Sequence, residues 1–81
     1  MGIHERKLNG YAQAVKYYYK RADLKRAAYF WGKIYAYIRR FGTAKLMIPS
    51  MRVMSRFTDE EVYTITDYIK EKYYWQESIR Y

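Results

Sequence analysis

Residues 24–41 read LKRAAYFWGKIYAYIRRF, and this stretch decides the fold. Leu24, Ala27, Trp31, Ile34, Ile38 and Phe41 recur at spacings of 3, 4, 3, 4 and 3. That repeat puts six apolar side chains on one face of an α-helix. Asp23 stands just before it, and a carboxylate there can accept a bond from an orphan amide of the first turn. Arg39 and Arg40 fall in the last turn, where cations suit the negative end of the helix dipole. Gly42 follows and can take the left-handed position that ends a helix.

Upstream, Leu8, Tyr11, Val15, Tyr18 and Ala22 repeat at 3, 4, 3 and 4. Continuing that seam would land on Lys25 rather than Leu24, so the phase shifts near Ala22-Asp23. The pattern runs from about Ile3 or Leu8 to Ala22, and either the helix breaks there or one long helix shifts its buried face; we read two helices, about 8–22 and 24–41, with Asp23 capping the second. Gly10 weakens the first pattern by about 1 kcal/mol relative to alanine, which places the true start near Tyr11.

Downstream, Thr58, Asp59, Glu60 and Glu61 form a capping box, Thr at the N-cap and Glu three residues later. Phe57 and Val62 are placed for a hydrophobic staple, and Val62, Ile65, Ile69 and Tyr73 for a buried face. This helix is expected over about 59–76. Residues 43–57 read as an irregular or partly helical connector, with Pro49 as a possible first residue of a short helix through Met54, while the alternation of Leu46/Ile48 and Met51/Val53 would also suit short strands. The expectation is one all-α domain over residues 1–81, a small bundle of three main helices.

The chain has 12 tyrosines among 16 Lys+Arg and 8 Asp+Glu, a formal net charge of +8. Residues 1–57 carry 13 Lys+Arg against 2 Asp+Glu, a local net of +11, and residues 58–81 carry 3 against 6, a local net of −3. A basic, aromatic-rich body suits a polyanion, and an acidic helix offers a separate contact. Arg26, Phe30, Lys33, Tyr37 and Arg40 repeat at 4, 3, 4 and 3, a stripe expected roughly opposite the apolar seam of 24–41. Cations for phosphate and rings for sugars or bases are what nucleic-acid binding needs. Lys16, Lys20 and Arg21, beside Tyr17 and Tyr19, belong to the same candidate surface, and Arg39, Arg52 and Arg56 extend it. The bland reading is a Tyr-rich helix buried in an assembly, its cations merely solvated. A helix-turn-helix unit through Gly42 fits Pro49 awkwardly, and no zinc-finger, bZIP or RNP pattern is present. Backbone contacts without sequence specificity are expected.

Glu60, Thr64, Asp67 and Glu71 line up at 4, 3 and 4 on the last helix. They suit a solvated face or a contact with a basic neighbour better than a metal site. Tyr73, Tyr74 and Trp75 follow, an aromatic run expected to dock on a core or on another subunit. Glu60, Asp67, Glu71 and these three aromatics are the candidate oligomer contact, so a homo-oligomer or co-assembly is expected.

Catalysis has little support. There is no cysteine, His4 lies at an end expected to fray, and Ser50, Ser55 and Ser78 have no evident base. No metal or other cofactor is expected. The most apolar run, Ala27 to Ile38, covers 12 residues and contains Lys33, short of the roughly 20 a membrane span needs. The start lacks a signal-peptide pattern. An intracellular location (cytoplasm or nucleoid) or the inside of a virion is expected, not secretion. Sparse Asn and Gln and absent Cys point to a thermophilic archaeon or its virus, while an AT-rich genome would give the same Tyr, Lys and Ile bias. The function expected is a non-enzymatic protein that coats or organises DNA or RNA and self-associates, of nucleocapsid or chromatin type. The alternative is a structural or adaptor subunit that uses its aromatic faces.

Overall fold

The computed structural model describes the backbone of residues 2–42 and 44–80, with side chains up to residue 72. It contains α1 (Ile3–Lys20), α2 (Leu24–Phe41), α3 (Met47–Met54) and α4 (Asp59–Arg80). Among the described residues there is no strand. The protein is an all-α small bundle, with a fourth helix inside the expected connector. No helix among the described residues is long and apolar enough to cross a membrane.

The first helix begins at Ile3, the earlier of the two starts its pattern allows and well before Tyr11. Gly10 is exposed within it, and its propensity cost is overridden by tertiary contacts at either end. Leu8, Ala12 and Val15 are buried, and Tyr11 and Tyr18 pack at the edge of the core. His4, expected to fray, is held instead. Its Nδ1 lies 2.7 Å from the Tyr37 hydroxyl, and its ring packs 4.8 Å from Phe41.

The helix break falls where the phase shifts. α1 stops at Lys20, and Ala22 does not join its seam but takes φ +58° in the turn. The Asp23 amide donates to the Tyr18 carbonyl and the Ala22 amide to the Tyr19 carbonyl. These two bonds make a Schellman motif, with Ala22 at the left-handed position that usually holds glycine. Asp23 then caps α2, its carboxylate accepting from the Arg26 amide at 3.2 Å. A left-handed alanine carries a steric cost that glycine lacks. Ala22→Gly is therefore expected to stabilise the fold by about 0.5–1 kcal/mol, read as a higher urea midpoint at unchanged slope.

α1 and α2 thus form an antiparallel hairpin, with His4 near Tyr37 and Phe41 at one end and Tyr18 near Phe30 at the other. Ala27, Trp31 and Ile34 are buried, and Leu24 and Ile38 are partly covered. The chain ends α2 at Gly42 with φ +88°, its amide donating to the Ile38 carbonyl.

α3 begins two residues before Pro49, so the proline sits in the first turn, where its missing N–H breaks no helical bond. Val53 is α3's buried side chain, and Leu46 before it is also buried. α4 starts as its sequence dictates. The Glu61 amide donates to Thr58 Oγ1 at 3.1 Å, and the Thr58 amide to Glu61 Oε1 at 2.9 Å. Phe57 belongs to the buried core, Val62 packs against it, and Ile65 is fully buried. Tyr73 lies outside the described side chains.

Candidate nucleic-acid interface

The tip of the α1–α2 hairpin carries a ladder of four rings. Tyr18 and Phe30 stack across the two helices, centroids 5.8 Å apart and planes within 4°. Tyr17 meets Tyr18 edge-on at 5.1 Å, and Tyr29 meets Phe30 edge-on at 5.1 Å. Offset and edge-on contacts of this kind are the favourable ring geometries. The inner pair joins the helices. The outer pair reaches solvent, Tyr17 at 50 % and Tyr29 at 58 % exposure.

Cations flank both outer rings. The Arg21 guanidinium carbon sits 3.7 Å from the Tyr17 centroid, and Lys33 Nζ sits 5.2 Å from that of Tyr29. Arg26 lies 5.7 Å from the inner Tyr18 ring and is paired to Asp23 at 3.2 Å. Lys25, Arg26 and Tyr29 border a shallow depression of about 450 Å³ with Asp23. Lys20, Arg39 and Arg40 are exposed, and Arg40 lies 5.6 Å from the Phe41 ring. Among the described residues Lys20, Lys33, Arg39 and Arg40 form no ion pair. From Arg26 to Arg40 is 14 residues, or about 21 Å of helix, the length of about six base-pair steps.

The arrangement corrects the expected stripe. At 3.6 residues per turn its centre lies about 100° from the apolar seam, so it borders α1 instead of facing away from it. Phe30 and Tyr37 are accordingly turned inward. Phe30 belongs to the ladder, and Tyr37 is held by His4 and packs 6.3 Å from Tyr11. Arg26, Lys33 and Arg40 do reach solvent. Tyr29, three residues after Arg26 and four before Lys33, is an exposed ring that the expected stripe left out. Tyr19, expected beside Tyr17 on this surface, packs against the core.

Three of the expected cations do other work. Lys16 pairs with Glu61 at 3.2 Å and lies 5.3 Å from the Phe57 ring. Arg52 pairs with Glu5 at 3.2 Å, and Arg56 donates to Asn9 Oδ1 at 3.0 Å. These bonds tie α4, α3 and the following turn to α1.

Among the carboxyls of the described residues, Glu61 stands apart in its acidity. Partial burial pushes its pKa up, but bonds from the Thr58 amide, Lys16 and the Thr58 hydroxyl, together with the Lys16 charge, outweigh this and hold it below its ordinary 4.5. The unfolded chain therefore binds this proton more readily, and stability rises with pH through that window. The contribution is full above the ordinary glutamate range and is lost as pH falls through the lower folded value. Glu61→Gln keeps a capping side chain but removes the charge. Its stability deficit against wild type at pH 7, measured by urea unfolding, is expected to shrink as pH falls below about 4.

Glu60, Asp67 and Glu71 are exposed on α4, with Thr64 partly covered between them. Among the described residues no group of three His, Cys, Asp or Glu could hold a metal ion. Tyr73, Tyr74 and Trp75 lie outside the described side chains. No protein-family model, curated protein or solved structure matches this chain.

Proposed function

We propose that this protein is a non-enzymatic nucleic-acid-binding protein that coats or organises DNA or RNA through backbone contacts and self-association. The observation that carries the reading is the ring ladder at the hairpin tip, whose exposed ends Tyr17 and Tyr29 are each flanked by a cation. Fixed rings offer stacking surface to bases or sugars, and cations neutralise phosphates. The inner Tyr18–Phe30 stack fixes the spacing of the two ends, so binding orders little that was loose.

The charge distribution supports the same reading. Residues 24–57 carry eight Lys+Arg and no Asp or Glu. Such a field draws in a polyanion without selecting its sequence. The depletion of Asn, Gln and Cys suits a role in a hot-living archaeon or its virus, where chromatin or nucleocapsid packing is the matching task. The adaptor reading keeps one specific observation, the apolar groove described below.

Salt-titrated binding to duplex DNA, single-stranded DNA and RNA tests the function. We expect log K to fall linearly with log salt, by about 0.9 per neutralised phosphate on duplex. Tyr29→Ala is expected to weaken single-strand binding more than duplex binding, because stacking contributes about 1–3 kcal/mol per unpaired base. Absence of salt-dependent binding to all three polymers would sink the proposal.

A further inference from the structure

An apolar groove opens on the other side of α2. Tyr35 and Ile38 form one wall, and Met47, Met51 and Met54 of α3 the other, around about 670 Å³. Pockets that take drug-sized ligands span about 300–1,000 Å³, so aromatic side chains fit in this one. Met47 is 60 % exposed and Met51 67 %. Flexible thioethers of this kind adapt to an incoming ring. Ser50 also lines the groove, and its Oγ is covered yet has no hydrogen-bond partner among the described residues. A covered hydroxyl without a protein partner is uncommon in a folded chain.

Charge selects the occupant. Both walls belong to the stretch 24–57, which has no acidic residue, and exposed Lys45 and Arg39 adjoin the lining residues. The chain's own acidic segment is residues 58–81. On α4, Asp67 and Glu71 are exposed, and Trp75 follows Glu71 by a further four positions in sequence, with Tyr74 beside it. Helical spacing puts acid and ring on one face.

We infer that the groove receives α4 of a second copy, with Tyr74 and Trp75 in the methionine-lined cleft and Asp67 and Glu71 against its basic rim. Groove and insert are different surfaces, so the contact is heterologous and each copy can both give and receive. Repeated, it builds a ring or a filament. The inference deepens the self-association part of the proposed function and names its two surfaces.

Sedimentation velocity without nucleic acid tests it on the full chain. Wild type is expected to associate as its concentration rises. Met51→Glu puts a carboxylate in the cleft and is expected to weaken association at least about tenfold. On the insert side, Trp75→Ala and Glu71→Lys are expected to do the same. An equimolar mixture of Met51→Glu and Trp75→Ala has one intact groove and one intact insert. It is expected to form pairs and nothing larger, with helical content checked by circular dichroism. Glu71→Lys replaces Trp75→Ala in the mixture if the latter loses its helices.

A wild type that stays monomeric would overturn the inference, leaving the groove to a foreign partner. So would a mixture that stays monomeric while wild type associates. Binding to a duplex short enough for one chain is scored alongside. Association without nucleic-acid affinity would refute the function and leave the groove contact standing, and retained affinity in a non-associating Met51→Glu would separate the two surfaces.

Discussion

Replacing Arg26, Lys33 and Arg40 together with alanine is expected to lower duplex affinity about 100-fold at about 0.15 M salt. The estimate follows from counterion release. Each phosphate contact contributes about −0.9 to the slope of log K against log salt, which at about 0.15 M amounts to about fivefold in affinity. Three contacts multiply to about two orders of magnitude, and the slope should shrink by about 2–3. The lower end is the better expectation, because Arg26 already shares the Asp23 carboxylate at 3.2 Å. All three side chains are exposed, so the fold should persist and circular dichroism should not change. Affinity and slope both unchanged would remove this face from the interface and return the weight to the adaptor reading.

The contrast with Lys16, Arg52 and Arg56 sharpens that test. Each of these bonds another element of the fold, to Glu61, Glu5 and Asn9. Their removal should reduce stability more than it reduces the salt slope. Net charge alone would predict the same effect for either set of three, since each loses three cations. A larger slope change for the α2 set would place binding on one face of the molecule and exclude general attraction to a basic protein.

The helices were legible wherever the chain writes both a period and a stop signal. Residues 24–41 have a strict apolar seam, a capping carboxylate and a terminal glycine, and α2 has those bounds. Thr58 and Glu61 form the reciprocal bonds that their spacing implies. α3 was only partly legible because eight residues hold barely two turns, too few for a period to show. The early start of α1 was hidden by Gly10. What holds that end is a contact with Tyr37, 33 residues away, which no local pattern encodes.

The site was legible in kind and misplaced in detail. Sequence pointed to Arg26, Lys33 and Arg40, which are exposed on α2, and to rings interleaved with them. It could not say which rings face α1, because that depends on the rotation of the hairpin. α1 presents Tyr11 and Tyr18 to its partner, and these rings draw Tyr37 and Phe30 inward. Tyr29, one step round the helix, is left outside. The cations of α1, α3 and the following turn could not be sorted by sequence either, since their carboxylate and amide partners lie 45 to 47 residues away.

Trp31→Ala is expected to cost about 3–5 kcal/mol of stability, the usual range for emptying a buried aromatic site. Trp31 is 2 % exposed and the largest fully buried side chain among the described residues. It meets Phe57 edge-on at 5.1 Å and Tyr35 at 5.7 Å, so it links α2 to the start of α4. A chain of 81 residues has about 4–12 kcal/mol of total stability, so this loss is about a quarter of it or more. Alanine's better helix propensity returns at most about 0.7 kcal/mol. The melting temperature should fall by at least about 10 °C. Nucleic acid at about 100 times its dissociation constant should then restore about 2.7 kcal/mol, because it binds the folded state. A melt within a few degrees of wild type would show that the α2–α4 contact does not organise the core. A large loss that nucleic acid does not reduce would instead separate the folded bundle from the proposed binding surface.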